Sequence, residues 1–131
     1  MSREQKVAAV EAYLDCFATK DLSKLSLAED VVFEGPRMPT LTGRQTVLGF
    51  LASILPTVKG IELKQHIVEG DYVATVFDME TAAGVDHVFD RIHILDGKIT
   101  RSKEYTRFTI RNQERRHRLK ALGESPAGAR R

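Results

Sequence analysis

Covalent and metal cross-links are what this chain has least of. A single cysteine, Cys16, rules out an internal disulfide, as expected of a protein kept in a reducing cytoplasm. Cys16 falls inside a helical apolar pattern, with no His-plus-acid pair near it in sequence, so it reads as packing and not as a thiol nucleophile. No two histidines have the spacing of a helical metal site, and no metal is expected. The sequence also lacks a glycine-rich phosphate loop, a dinucleotide fingerprint and a nucleophile elbow, so no cofactor is expected either. No apolar run approaches the roughly 20 residues of a membrane helix. The chain opens Met-Ser-Arg-Glu-Gln without a signal-peptide core, which points to the cytoplasm and away from membranes.

What is present suits one globular domain. Of 131 residues, 42% are hydrophobic and 29% charged, enough for a core but not for two domains. The net charge of +2 conceals an asymmetry. Residues 107–131 hold eight Lys/Arg against two Glu, whereas residues 1–106 hold twelve against sixteen acids. A basic tail can meet nucleic acid, but no aromatic follows Phe108 to stack on a base, so none is expected as a partner. The tail, 111–131, reads as a helical start followed by a disordered end containing Pro126 and two glycines, leaving residues 1–110 as the domain.

The period of the apolar residues changes once. Val7, Val10, Leu14 and Phe17 repeat at helical spacing, with Tyr13 and Cys16 on the flank. Residues 21–25 read as a short second helix capped by Asp21. A strand follows at 31–34, stopped by Gly35-Pro36, and Pro39 keeps the next residues in a loop. Residues 44–55 form a helix with Val47, Phe50, Leu51, Ile54 and Leu55 on one face, closed by Pro56. From Lys59 the period is two: Ile61, Leu63 and Ile67 alternate with Glu62, Lys64 and His66. Turns at Gly70-Asp71, at 82–84 and at Asp96-Gly97 then mark a four-strand meander. Helices followed by a meander predict an α+β fold, its antiparallel sheet covered on one side.

Two acids stand out in the last hairpin, Asp90 on the first arm and Glu104 on the second, among neighbours written for burial: Val88, Phe89, Ile92, Ile94, Tyr105, Thr106 and Phe108. A carboxyl group held among apolar atoms resists ionising and can work as an acid, a base or a hydrogen-bond donor. A two-residue Asp-Gly turn would place the acids on opposite faces. A three-residue loop with Gly97 in the left-handed region would shift the register by one and unite them, and the sequence suits both. Val73, Thr75, Phe77 and Met79 form one face of the preceding strand, fit to line a cavity. In the next strand His87, Phe89, Arg91 and His93 share a face that mixes aromatic and cationic groups, as a homodimer interface does.

The body of the chain resembles the nuclear transport factor 2-like superfamily. The resemblance is carried by Val10-Glu11-Ala12-Tyr13 through Lys20-Asp21-Leu22, Asp30-Val31-Val32-Phe33 with Pro36, Gly43-Arg44, Asp96-Gly97-Lys98-Ile99 and Glu104-Tyr105. It is most similar to the SnoaL-like group of polyketide cyclases, ketosteroid isomerases and limonene epoxide hydrolases. The resemblance implies a cone-shaped barrel, a curved sheet wrapped by N-terminal helices around a pocket for an apolar small molecule. It implies catalytic roles for Tyr13 and Asp90, at the oxyanion-holding positions of the isomerases, and for Glu104, at the last aspartate of the epoxide hydrolases. Where the isomerases carry their base this chain has Gly35, with Glu34 out of register. The hydrolase Arg and first Asp are replaced by Phe77 and Met79. The acid-and-histidine pair of the cyclases leaves His66 and His87 as histidine candidates. The implied lining is Phe17, Phe33, Met38, Phe50, Ile54, Phe77 and Met79, with His66, and Met38 lies at the mouth. The function implied is a cofactor-free acid/base enzyme acting on a carbonyl-containing or cyclic substrate; the alternative is a binding or assembly module that performs no chemistry.

Overall fold

The structure, a computed structural model, describes residues 1–110; the expectations for the basic tail lie outside the described residues. Helix α1, Arg3–Thr19, starts at a capping box in which Ser2 and Gln5 exchange side-chain and backbone hydrogen bonds. It ends at Lys20 in the left-handed region, whose ammonium donates to the carbonyls of Leu55 and Val58. The helix expected at 21–25 is a turn. Asp21 accepts a hydrogen bond from the Ser23 amide at 2.9 Å, and five residues are too few to nucleate a helix against that local competitor.

Strands β1, Leu27–Gly35, and β2, Met38–Thr42, form a hairpin, so Pro39 lies in a strand and not in the expected loop. Its missing N–H is tolerated because β2 is an edge strand, paired only with β1. Helix α2, Arg44–Ile54, and one 3₁₀ turn containing Pro56 lead into β3, Val58–Glu69, β4, Tyr72–Thr81, β5, Gly84–Leu95, and β6, Lys98–Ile110. These four strands make the expected meander. The sheet is larger and not purely antiparallel, however: its order is β2-β1-β6-β5-β4-β3, with β1 parallel to β6. The chain between them is long enough for the crossover that parallel pairing requires. The sheet is curved but open, with edges at β2 and β3, so the implied barrel does not close.

Its inner face packs on α1 and α2 through Val10, Leu14, Phe17, Val47, Leu51, Val73, Phe77 and Ile92, all buried. A bulge between Leu63 and Gln65 in β3 reverses the strand's parity. That overturns the grouping of Ile61, Leu63 and Ile67 on one face: Ile67 turns outward, 49% exposed, and His66 turns under α1.

Candidate active site

The site depends on how the β5–β6 hairpin is closed. Asp96 and Gly97 have φ of 52° and 77°, the two positive values of a two-residue type I′ turn, and Leu95 pairs with Lys98. Without further change that turn would separate the acids. One bulge, between Ile94↔Ile99 and His93↔Arg101, inserts Thr100 as an extra residue in β6 and moves the register by one. Asp90 therefore lies directly opposite Glu104. The turn is the first of the two alternatives and the result is that of the second.

On the inner face the pairing continues across four strands. His66 of β3 faces Thr75 of β4, Thr75 faces Asp90 of β5, and Asp90 faces Glu104 of β6. Beyond Glu104 comes Gly35 of β1. A Cβ on Gly35 would lie 3.2 Å from that of Glu104, so the small residue gives the Glu104 side chain its room.

Asp90 is 2% exposed. Burial first, and the nearby charge of Glu104 second, push its carboxyl well above the usual carboxylate range. Tyr13 projects from α1, its ring held edge-on by Phe17 at 5.5 Å and Phe33 at 5.9 Å. Burial, then Asp90 and then Glu104 raise its phenol well above the ordinary value, so it remains a hydrogen-bond donor. Glu104 is half-buried and accepts a hydrogen bond from the Thr106 hydroxyl at 2.8 Å. Tyr105 and Phe108, expected to be buried around it, are 46% and 38% exposed: Tyr105 alternates to the outer face opposite Phe89, and Phe108 lies toward the far end of β6.

Tyr13, Asp90 and Glu104 line a narrow chamber of about 30 Å³ together with Phe17, Phe33, Met38, Phe50, Ile54, Phe77 and Met79. Glu34 also borders it, its carboxylate 3.7 Å from Arg101. Pairing with Lys103 next to the inward pair Phe33 and Ser102, Glu34 keeps the alternate parity that sets it out of register with Gly35. Met38, Phe50, Ile54, Met79 and Glu104 also line an outer chamber of about 350 Å³. At its rim Arg37 pairs with Asp86 at 2.7 Å and lies over the Phe108 ring, a gatepost that nothing in the sequence spacing signalled. The inner chamber has room for one polar group, and the outer one for an apolar body of modest size.

The structure brings together every predicted lining residue except His66, which stands beneath α1 with Nε2 3.3 Å from Glu11 Oε2 and does not line either chamber. His87 is on the outer face, bonded through Nδ1 to Asp78 at 2.9 Å and through Nε2 to Thr109 at 3.0 Å. Neither histidine can supply the pocket histidine of the cyclases. Thr75, noted in sequence only as one of an apolar face, is fully buried beside Asp90. Among the described residues no cluster of three or more His, Cys, Asp or Glu is placed to hold a metal, and no helix is long and apolar enough to cross a membrane.

An α1–α2 layer over a curved sheet, with a small acid-lined chamber between them, defines a nuclear transport factor 2-like fold. Residues 10–102 match the model of the SnoaL-like domain, and the chain belongs to that family. A search of curated proteins finds no match. Among solved structures, the chain is similar to an epoxide hydrolase of Mycobacterium tuberculosis resembling limonene epoxide hydrolase, at 20% identity and TM-score 0.67, covering 79% of this chain and 84% of that one. It is similar to a steroid delta-isomerase of Pseudomonas aeruginosa at 22% identity and TM-score 0.67, covering 91% and 86%. A nuclear transport factor 2-like protein of Burkholderia xenovorans aligns at 15% identity and TM-score 0.73, covering 88% and 92%. At these identities the likeness speaks for the fold alone.

Proposed function

We propose that the chain is a cofactor-free acid/base enzyme acting on an apolar small molecule that bears a carbonyl or a cyclic ether. The observation that carries this reading is the pairing of a buried Asp90, its carboxyl pushed well above the usual range, with Glu104 at the inner end of a largely apolar cavity. Two carboxyl groups in unequal surroundings divide the labour of acid and base. Asp90 and Tyr13 donate hydrogen bonds to the substrate oxygen, and Glu104, open to the outer chamber, moves a proton or positions water. The narrow inner chamber admits the oxygen end first, while Phe50, Ile54 and Met79 hold the apolar remainder. The missing isomerase base and hydrolase arginine favour a reaction run by Glu104 over a copy of either relative's chemistry.

The test is a thermal-shift screen with ketones, lactones, epoxides and steroids, followed by turnover assays on the class that binds. Asp90→Ala should lower turnover by about a hundred- to a thousandfold, as loss of one oxyanion donor does. Unchanged turnover would remove Asp90 from the mechanism.

The second reading, a ligand-binding or assembly module, is favoured by one observation. The outer sheet face exposes Phe89 at 39% and Tyr105 at 46% in edge-on contact, flanked by Arg91 stacked on Tyr72. We assign this face, with His87 and His93, to a homodimer contact, which is compatible with either reading. The single cysteine supports a reducing, cytoplasmic setting.

A further inference from the structure

Three buried polar atoms have no hydrogen-bond partner among the described residues: His66 Nδ1, Thr75 Oγ1 and Asp90 Oδ1. They are not scattered. They belong to successive members of the cross-strand row that runs beneath α1, from the Glu11 side of the molecule to the inner chamber. Leaving three such groups unpaired costs more than a small core tolerates, so their adjacency calls for a physical account.

Donor and acceptor types along the row agree in one direction only. Glu11 Oε2 lies 3.3 Å from His66 Nε2, and a carboxylate can only accept, so it holds the Nε2–H tautomer and leaves Nδ1 as an acceptor. A threonine hydroxyl supplies the matching donor and retains lone pairs for the proton of a neutral Asp90. Directly opposed residues on one sheet face have Cβ atoms about 4.5–5.5 Å apart, so one side-chain rotation or one intervening water closes each gap.

We propose that His66 and Thr75 connect Asp90 to solvent at Glu11 as a proton path, independent of the cavity mouth. In the outward step Asp90 gives its proton to Thr75 Oγ1 as the proton of that hydroxyl passes to His66 Nδ1. His66 then releases its Nε2 proton to the Glu11 carboxylate, which is 49% exposed and hands it to water. Each bridging group gains one proton and loses one, and the reverse order reprotonates Asp90. The other titratable groups meeting the row, Tyr13 from α1 and Glu104 from β6, face its Asp90 end. The path lets Asp90 exchange its proton with solvent while a ligand plugs the inner chamber. His66 and Thr75 are thus positioning residues, which explains why His66 is inward-facing without lining the pocket.

The inference rests on the reading of Asp90 as an acid/base group, but its test needs no substrate. Nitrogen-15 NMR of the full chain reports the tautomer of each of its four histidines. Near neutral pH, His66 is expected as Nε2–H, with Nδ1 shifted by an accepted hydrogen bond. In Thr75→Val that Nδ1 signal should move toward the value of an unbonded ring nitrogen, and the melting temperature should fall. A His66 Nδ1–H tautomer in the wild type would overturn the proposal whether or not the variant folds. So would an unmoved Nδ1 signal in Thr75→Val, or a rise in its melting temperature, which is the mark of a hydroxyl with no partner. Loss of turnover in Asp90→Ala alongside any of these would leave the catalytic reading standing and remove only the path.

Discussion

A carboxyl group as enclosed as Asp90 ties stability to pH. Its folded-state pKa is raised, first by burial and then by Glu104, so the folded protein binds the proton more tightly than the unfolded chain. The stabilisation is fully present below the unfolded carboxylate value of about 3.9. It is lost as pH rises through the folded value. Asp90→Asn cannot ionise and escapes that loss, so the melting temperature of the variant should gain on the wild type between about pH 5 and pH 8. Parallel melting curves would show that Asp90 ionises freely. Gly35 offers a second residue-scale test. A valine there must displace Glu104, whose Cβ lies 3.2 Å from the position of the added carbon, so Gly35→Val should cost more ligand affinity or turnover than fold stability. Tyr13, Asp90 and Glu104 were legible because family positions single them out. His66 was misplaced in the pocket because its position along β3, under α1 beside Glu11 and away from both chambers, leaves no mark in an alternating pattern.

At the scale of elements, the β5–β6 hairpin decides the site. Gly97, at φ 77°, holds a position where a side chain costs about 1–2 kcal/mol, so Gly97→Ala should lower stability by that amount in chemical denaturation. The Asp-Gly turn was readable; the Thr100 bulge, which unites the acids, was not, because a bulge is decided by how two strands fit together and not by either alone. The same limit explains β1. Its strand character was plain in Val31-Val32-Phe33, but its parallel place beside β6 depends on a contact across most of the sequence. The short helix at 21–25 failed for the opposite reason: the Asp21 signal was real, but it closes a local turn onto Ser23, with too few residues after it to build a helix.

For the whole molecule, an open sheet with helices on one face leaves the other face to find cover. Exposed Phe89, Tyr105 and Ile67 argue for a second copy there, and Phe89→Glu should convert a dimer to a monomer by light scattering with the fold intact. A wild type that is monomeric at every concentration would remove the dimer. The proposed function turns on Asp90 keeping its proton inside a largely apolar cavity beside the carboxyl group of Glu104. The most direct test is carbon-13 NMR of aspartate side-chain carboxyls through a pH titration, with Asp90→Asn to assign the signal. One carboxyl should still be protonated at neutral pH and absent from the variant. An Asp90 signal that titrates with the surface aspartates would contradict it.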